Sequence, residues 1–179
     1  MTLAARPILM ATGHRDLDHP EAIAEAIADL LTGIRPQRVI AGGARGADDL
    51  VAIGAMNQAV PLTIMLPNRW YRQRYNLHPG PTDTWADEVV YVVDRPLVGT
   101  WRQRWNDERW WLDNFTRNVA MVDRATEALC VSSEHPAELI NTSGGTAHCL
   151  GELAKAWCEE LWWIPDHEVT EAERVRLNG

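Results

Sequence analysis

Apolar positions along the chain form short blocks separated by glycine-rich or polar breaks, and two kinds of block alternate. Pro7-Ile8-Leu9-Met10-Ala11 is a continuous apolar run that stops at Thr12-Gly13-His14-Arg15, the pattern of a buried strand entering a loop. Pro20 and Glu21 open a helix over 22–31, with Ile23, Ala26, Ile27, Leu30 and Leu31 at helical spacing and Gly33 as the expected C-terminal cap. Arg38–Ala41 reads as a second strand, residues 47–58 as a second helix and Leu62–Leu66 as a third strand. Residues 69–83 are rich in Arg, Tyr, Asn, Pro and Gly and read as a loop with room for one helical turn. Further on, the pattern predicts a strand over 89–93, a helix over 113–123 and a strand over 129–132. A loop over 134–142 then leads to a helix from Ala147 to near Glu160 and a last strand over 161–164. The charged tail after Pro165 has weak helical character over 170–176.

Strands that alternate with helices predict an α/β fold: a parallel, Rossmann-like sheet with right-handed crossovers and helices on both faces. The 179 residues suit a single domain. Its expected extent is 1–166, a nucleotide-binding domain, followed by a charged tail over 167–179.

Composition narrows the function. The net charge of −8 argues against non-specific binding to duplex DNA or an anionic membrane, both of which need a broad basic surface. A local basic pocket remains compatible with it. Lys155 is the one lysine among 17 basic residues, as a GC-rich genome would produce, and some of the arginines are candidate forks for phosphate. Cys130, Cys149 and Cys158 form no CxxC pair, so neither a disulfide framework nor a zinc site is expected. No apolar run reaches membrane-spanning length and no signal peptide is evident, so a cytoplasmic protein without metal or cofactor is expected.

Four stretches carry candidate chemistry. Gly42, Gly43, Ala44, Arg45, Gly46 and Asp48 lie where the second strand meets the second helix. Glycines there admit a close ligand, the free amides and dipole of a helix start favour an anion, and Arg45 is a candidate phosphate fork. Ser143, Gly144, Gly145 and Thr146 open a later helix in the same way, with Thr146 able to cap it or to meet a phosphate. Thr12, Gly13, His14 and Arg15 follow the first strand. In a parallel sheet all three loops lie at the carboxyl edge, where such sheets bind ligands. The fourth stretch, Arg117, Asn118 and Met121 within Arg117–Asp123, falls on a helix, with Arg117, Met121 and Arg124 sharing a face.

In this order the motifs T-G-H-R, G-G-A-R-G-A-D, R-N-x-x-M-V-D and G-G-T-A resemble the YpsA/YspA branch of the SLOG superfamily, to which the LOG cytokinin-activating enzymes and the DprA-like and Smf-like proteins also belong. The resemblance spans about residues 7–165. It implies a Rossmann-like sheet and a pocket for a nucleotide or nucleotide derivative. The LOG phosphoribohydrolases carry P-G-G-x-G-T-x-x-E, whose glutamate serves catalysis together with an arginine that Arg117 matches. Here Cys149 stands three residues after Thr146, and Glu152 is the nearest carboxylate.

Three functions are therefore in view. The first is a nucleotide-binding protein, a sensor or sequestering protein whose partner is a nucleotide or other phosphate-bearing small molecule. The second is an N-glycosidic-bond hydrolase with Asp48, Asp49, Asp123 or Glu152 as its acid. The third is an interaction module using the cluster of Trp70, Tyr71, Trp101, Trp105, Trp110 and Trp111 among arginines, which also suggests a homo-oligomer, a two-fold dimer.

Overall fold

The computed structural model describes residues 5–69, 71, 86–93, 108–168 and 171–177. Its elements run β1 (Ile8–Gly13), α1 (Pro20–Ile34), β2 (Arg38–Ala41), α2 (Ala47–Asn57), β3 (Leu62–Leu66), β4 (Glu88–Tyr91), α3 (Glu108–Val122), β5 (Glu127–Ser132), α4 (Pro136–Leu139), α5 (Gly145–Ala156), β6 (Glu160–Pro165) and β7 (Glu173–Arg176). The seven strands form one sheet in the order β4-β3-β2-β1-β5-β6-β7, parallel except for the β6–β7 pair. This is the expected single α/β domain with a Rossmann-like sheet.

The period of two along each strand sorts side chains onto two faces. Leu9, Ala11, Val39, Ala41, Leu62, Ile64, Leu129 and Val131 point to one side, into a core shared with Ile23, Ile27 and Leu31 of α1 and Val51 and Ala55 of α2. Met10, Ile40, Met65, Ala128 and Cys130 point to the other side, against Met121 and Val122 of α3 and Leu150 and Leu153 of α5. Helices thus cover both faces, and the central strands are apolar on both sides, as in sheets of this kind.

Several local expectations change. Gly33 lies inside α1, and the cap is Arg35, in the left-handed conformation at φ 46 with its amide on Leu31 O. Pro36 supplies the reason: its ring disfavours a right-handed helical conformation at the preceding residue. The loop after β5 contains the short helix α4, begun by the side chain of His135 accepting from the Ala137 amide. The tail is not helical over 173–176; it forms β7, antiparallel to β6, with Leu177 buried beyond it. Arg174 fastens this strand, bonding both carboxylate oxygens of Glu127 and lying 4.8 Å from the Trp162 ring centroid. Trp70, Trp101, Trp105 and the side chains of Trp110 and Trp111, on which the dimer expectation rested, lie outside the described residues, whereas Tyr71 is wholly buried.

Candidate functional site

β1 sits between β2 and β5. The connections leaving β1 and β5 therefore diverge to opposite sides, and a crevice opens at their carboxyl ends. A cavity of about 490 Å³ occupies it, within the usual range for small-ligand sites. A second cleft, of about 510 Å³, lies where α2 ends and β3 and β4 begin, lined in part by Met56, Val60 and Asp87. Asp87 there already accepts from the Leu62 amide at 2.7 Å, and among the described residues no cation lines the cleft.

The loop after β1 forms one wall of the switch-point cavity. Thr12, Gly13, His14 and Arg15 all line it. His14 is tied on both sides of its backbone: its amide donates to Val131 O at 2.9 Å and its carbonyl accepts from the Ala47 amide at 3.0 Å. Its ring Nε2 lies 3.5 Å from Glu134, so the pair spans the crevice from the β1 loop to the β5 loop.

The glycine-rich loop after β2 is arranged differently from its sequence reading. Of its residues only Ala44 and Asp48 line the cavity. Gly42 and Gly43 are buried behind it. Arg45 points away and pairs with Asp16 at 2.7 Å, both side chains exposed. The start of α2 is already satisfied: the Ala47 amide bonds His14 O, and Asp48 turns back to accept from the Ala44 amide at 3.1 Å. Gly46 caps α2 at φ 82, ψ −125, a conformation all but reserved for glycine, and a Cβ there would collide with the carbonyls of His14 and Arg15. This loop therefore shapes the pocket, and its helix dipole is answered by the chain's own carboxylates.

α3 supplies the floor. Asn114, Arg117, Asn118 and Met121 recur at i, i+3, i+4 and i+7 and line the cavity together. Arg117 is 8% exposed, so it is not the surface arginine that an amphipathic helix would carry. Its Nη1 donates to Gly42 O at 2.6 Å and lies 4.0 Å from Asp48 Oδ2. Its Nε is buried and has no hydrogen-bond partner among the described residues. A buried donor without an acceptor is costly, and Arg117 itself lines the cavity, where a guanidinium is a candidate partner for an anion.

The start of α5 closes the pocket. Gly145 and Thr146 line it, whereas Ser143 and Gly144 are exposed outside it. No side chain caps this helix; Gly144 is its N-cap and the first helical bond runs from the His148 amide to Gly144 O. Thr146 Oγ1 donates to Gly13 O at 2.9 Å and Asn118 Nδ2 donates to Gly145 O at 2.9 Å. The first turn is thereby pinned to β1 and α3. Its dipole is positive toward the cavity, with no acidic residue in that turn.

Burial sets the protonation states. Desolvation raises Asp48 above its ordinary value, against the opposing pull of Arg117, the amides of Ala44 and Gly42, and Arg15. Burial likewise pushes the Cys149 thiol up to about 12, so it is a thiol at neutral pH and no nucleophile. Cys149 nevertheless lines the cavity and hydrogen-bonds Thr12. Of the other candidate acids, Glu152 faces away, held by Lys155 at 2.8 Å and His148 at 3.9 Å, and Asp123 is exposed at the end of α3. Ala11, Asp16, Asn114 and Cys149 complete the lining and were not among the residues expected from sequence. Asn114, three residues before Arg117, carried the one usable signal, its place on the helical face. Among the described residues no three His, Cys, Asp or Glu side chains are grouped to hold a metal ion.

No family model and no curated protein matches the sequence. Solved structures share the fold. DNA processing protein A (DprA) from Streptococcus pneumoniae aligns with a TM-score of 0.57 at 13% identity, over 89% of this chain and 50% of that one. DNA processing protein A from Helicobacter pylori, described for its mode of binding single-stranded DNA, aligns with a TM-score of 0.59 at 13% identity, over 94% of this chain and 69% of that one. The chain thus spans about half the length of the first and about two thirds of the second. At this identity the likeness is one of fold.

That likeness corrects the expected partners. A list made only of a nucleotide-like small molecule and a second copy of the chain does not stand when a protein of this fold binds single-stranded DNA. The physical reason is that a free nucleotide and a nucleotide within a strand offer an open pocket the same base and phosphate. The exclusion of duplex DNA, which rests on the net charge of −8, is separate. No helix among the described residues is long and apolar enough to cross a membrane.

Proposed function

We propose that the chain binds one nucleotide unit of a single-stranded nucleic acid or nucleotide derivative, with its phosphate between Arg117 and the first turn of α5, and does so without turnover. One observation carries the reading: Arg117 is a buried guanidinium in the cavity wall whose Nε has no partner among the described residues, beside a helix start without a side-chain cap. Thr12, Gly13, His14, Arg15, Ala44, Asn118, Met121, Gly145 and Thr146 would then contact the ligand, while Gly42, Gly43 and Gly46 shape the loop behind them. The four motifs support membership of the SLOG superfamily and its YpsA/YspA branch. The free, buried thiols of Cys130, Cys149 and Cys158 fit a reducing compartment such as the cytoplasm.

Hydrolysis is the weaker reading. The place of the LOG glutamate is taken by Cys149, protonated by burial, and Glu152 faces away from the cavity. An acid or base must reach its target. A filter-binding and thermal-shift panel of single-stranded oligonucleotides and mononucleotides, analysed for released base, tests the proposal. Binding with intact ligand, lost in Arg117→Ala, is expected; release of free base, or binding unchanged by that substitution, would contradict it.

A further inference from the structure

Asn118 lies on the cavity floor with its carboxamide fixed in one orientation. Its Nδ2 donates one hydrogen to Gly145 O at 2.9 Å and points the other at His148 Nδ1, 3.5 Å away. Gly145 O is a carbonyl oxygen and can only accept, so the nitrogen must face it; with the group turned over, two acceptors would meet at that distance. The His148 ring supports the same orientation. It is stacked on Phe115, with centroids 4.0 Å apart and planes within 6°, and its Nε2 lies 3.9 Å from Glu152. Burial, working against the pull of Glu152, holds its pKa below the ordinary value. At neutral pH the ring is therefore uncharged, and Nδ1 is able to accept.

With both Nδ2 hydrogens committed, Oδ1 is the polar atom of Asn118 to which nothing donates among the described residues. It is open to the cavity that Asn118 lines. The residue as a whole is buried, so a group reaches this oxygen by way of the cavity. An acceptor left in such a place loses free energy until a donor meets it.

This acceptor selects what a ligand places against it. Asn118 adjoins Gly145, in the turn of α5 that receives the phosphate of the proposed ligand. Phosphate oxygens at neutral pH are themselves acceptors, and Oδ1 repels them. The group next to the phosphate in any nucleotide is its sugar. Inside a strand the 3′ and 5′ oxygens of that sugar are esterified, so the donor it has to offer is a ribose 2′-hydroxyl. We propose that Asn118 Oδ1 accepts a hydrogen bond from the 2′-hydroxyl of the bound nucleotide unit, so that the site prefers a ribonucleotide strand to a deoxyribonucleotide strand. The inference rests on the nucleotide-binding reading above and names the sugar of its ligand.

Fluorescence titration of the intact chain with three short oligouridylates of one length tests this. They differ at the 2′ position alone, which carries hydroxyl, fluorine or hydrogen. The 2′-fluoro strand keeps the sugar pucker of RNA but has no hydrogen to donate, which separates the donor from the shape of the strand. The hydroxyl strand should bind about 2- to 10-fold more tightly than either of the others, the value of one neutral hydrogen bond. In Asn118→Ala, with folding checked by thermal melts, all three should weaken through loss of the Gly145 bond and their affinities should coincide. Equal binding of the hydroxyl and deoxy strands by the wild-type chain overturns the proposal, whether or not Asn118→Ala folds. So does a 2′-fluoro strand that binds as tightly as the hydroxyl strand, or a preference for the hydroxyl strand that survives Asn118→Ala. Binding of none of the three overturns the nucleotide-binding reading, and this proposal with it.

Discussion

The guanidinium of Arg117 lies directly over the Cα of Gly42. A Cβ at that position would overlap Arg117 Nη1 and come within 2.7 Å of Asp48 Oδ2, so the arginine can occupy the cavity floor only because residue 42 has no side chain. This contact joins the loop after β2 to α3, across 75 residues of sequence, and sets where the cation presents itself.

Gly42→Ala should therefore act on the site as well as on the fold. Overpacking of this kind costs about 1–3 kcal/mol. Urea unfolding should show a loss in that range with an unchanged denaturant slope, and nucleotide affinity should fall because Arg117 is displaced. A variant of wild-type stability and affinity would show that the contact is not kept in solution.

Arg117→Ala removes the buried cation and leaves Asp48 uncompensated. Ligand binding should weaken about 10- to 150-fold, the value of a charge-assisted hydrogen bond. Stability should fall by about 1–3 kcal/mol, a cost that a surface arginine would not carry. Arg117→Lys keeps the charge but not the fork; it should recover much of the stability and little of the affinity. Equal recovery of both in parallel melts and titrations would reduce Arg117 to a point charge.

The pH dependence of Asp48 has a definite sign. Its folded value is raised from the ordinary 3.8, so above that pH the unfolded chain gives up the proton first, and stability declines as pH rises through the window up to the folded value. Asp48→Asn cannot titrate. The stability of wild type relative to Asp48→Asn should therefore increase as pH is lowered from 7 toward 4 in paired urea melts, the other acids cancelling in the difference. A difference that moves the opposite way would mean that Arg117 outweighs burial.

Cys149 borders the pocket yet is held as a thiol, raised to about 12. Cys130, raised to about 12, and Cys158, raised to about 11, are also buried. Alkylation of the native chain at pH 8 should be more than about a hundredfold slower than of the unfolded chain for all three. Rapid labelling of Cys149 alone, read by mass spectrometry, would reveal a reactive thiol in the site.

Some of this was legible in the sequence because it is local. β1, β2, β3 and β5 are short apolar runs ending at polar breaks, and their alternation with helices gives a parallel sheet without further information. The pairing of Arg117 with Met121 on one helical face follows from spacing. β7 was hidden because Glu173, Arg174 and Arg176 form a charged edge strand held by cross-strand ion pairs and carry no apolar run. The role of Arg45 was misread because its partner, Asp16, comes from a loop 29 residues earlier, and local pattern cannot show which loops meet. The same blindness hid the satisfaction of the α2 start by His14 O, leaving two helix starts that look alike in sequence and differ in the fold.

The most direct measurement is a crystal structure of the chain grown with a short oligothymidylate. The expected result is a phosphate within hydrogen-bonding distance of the Arg117 guanidinium and the amides of Gly145 and Thr146, with no change in the Gly42 contact. A phosphate held instead by Arg45 on the outer surface, or an oligonucleotide bound away from the β1–β5 crevice with Arg117 Nε still unpartnered, would contradict it.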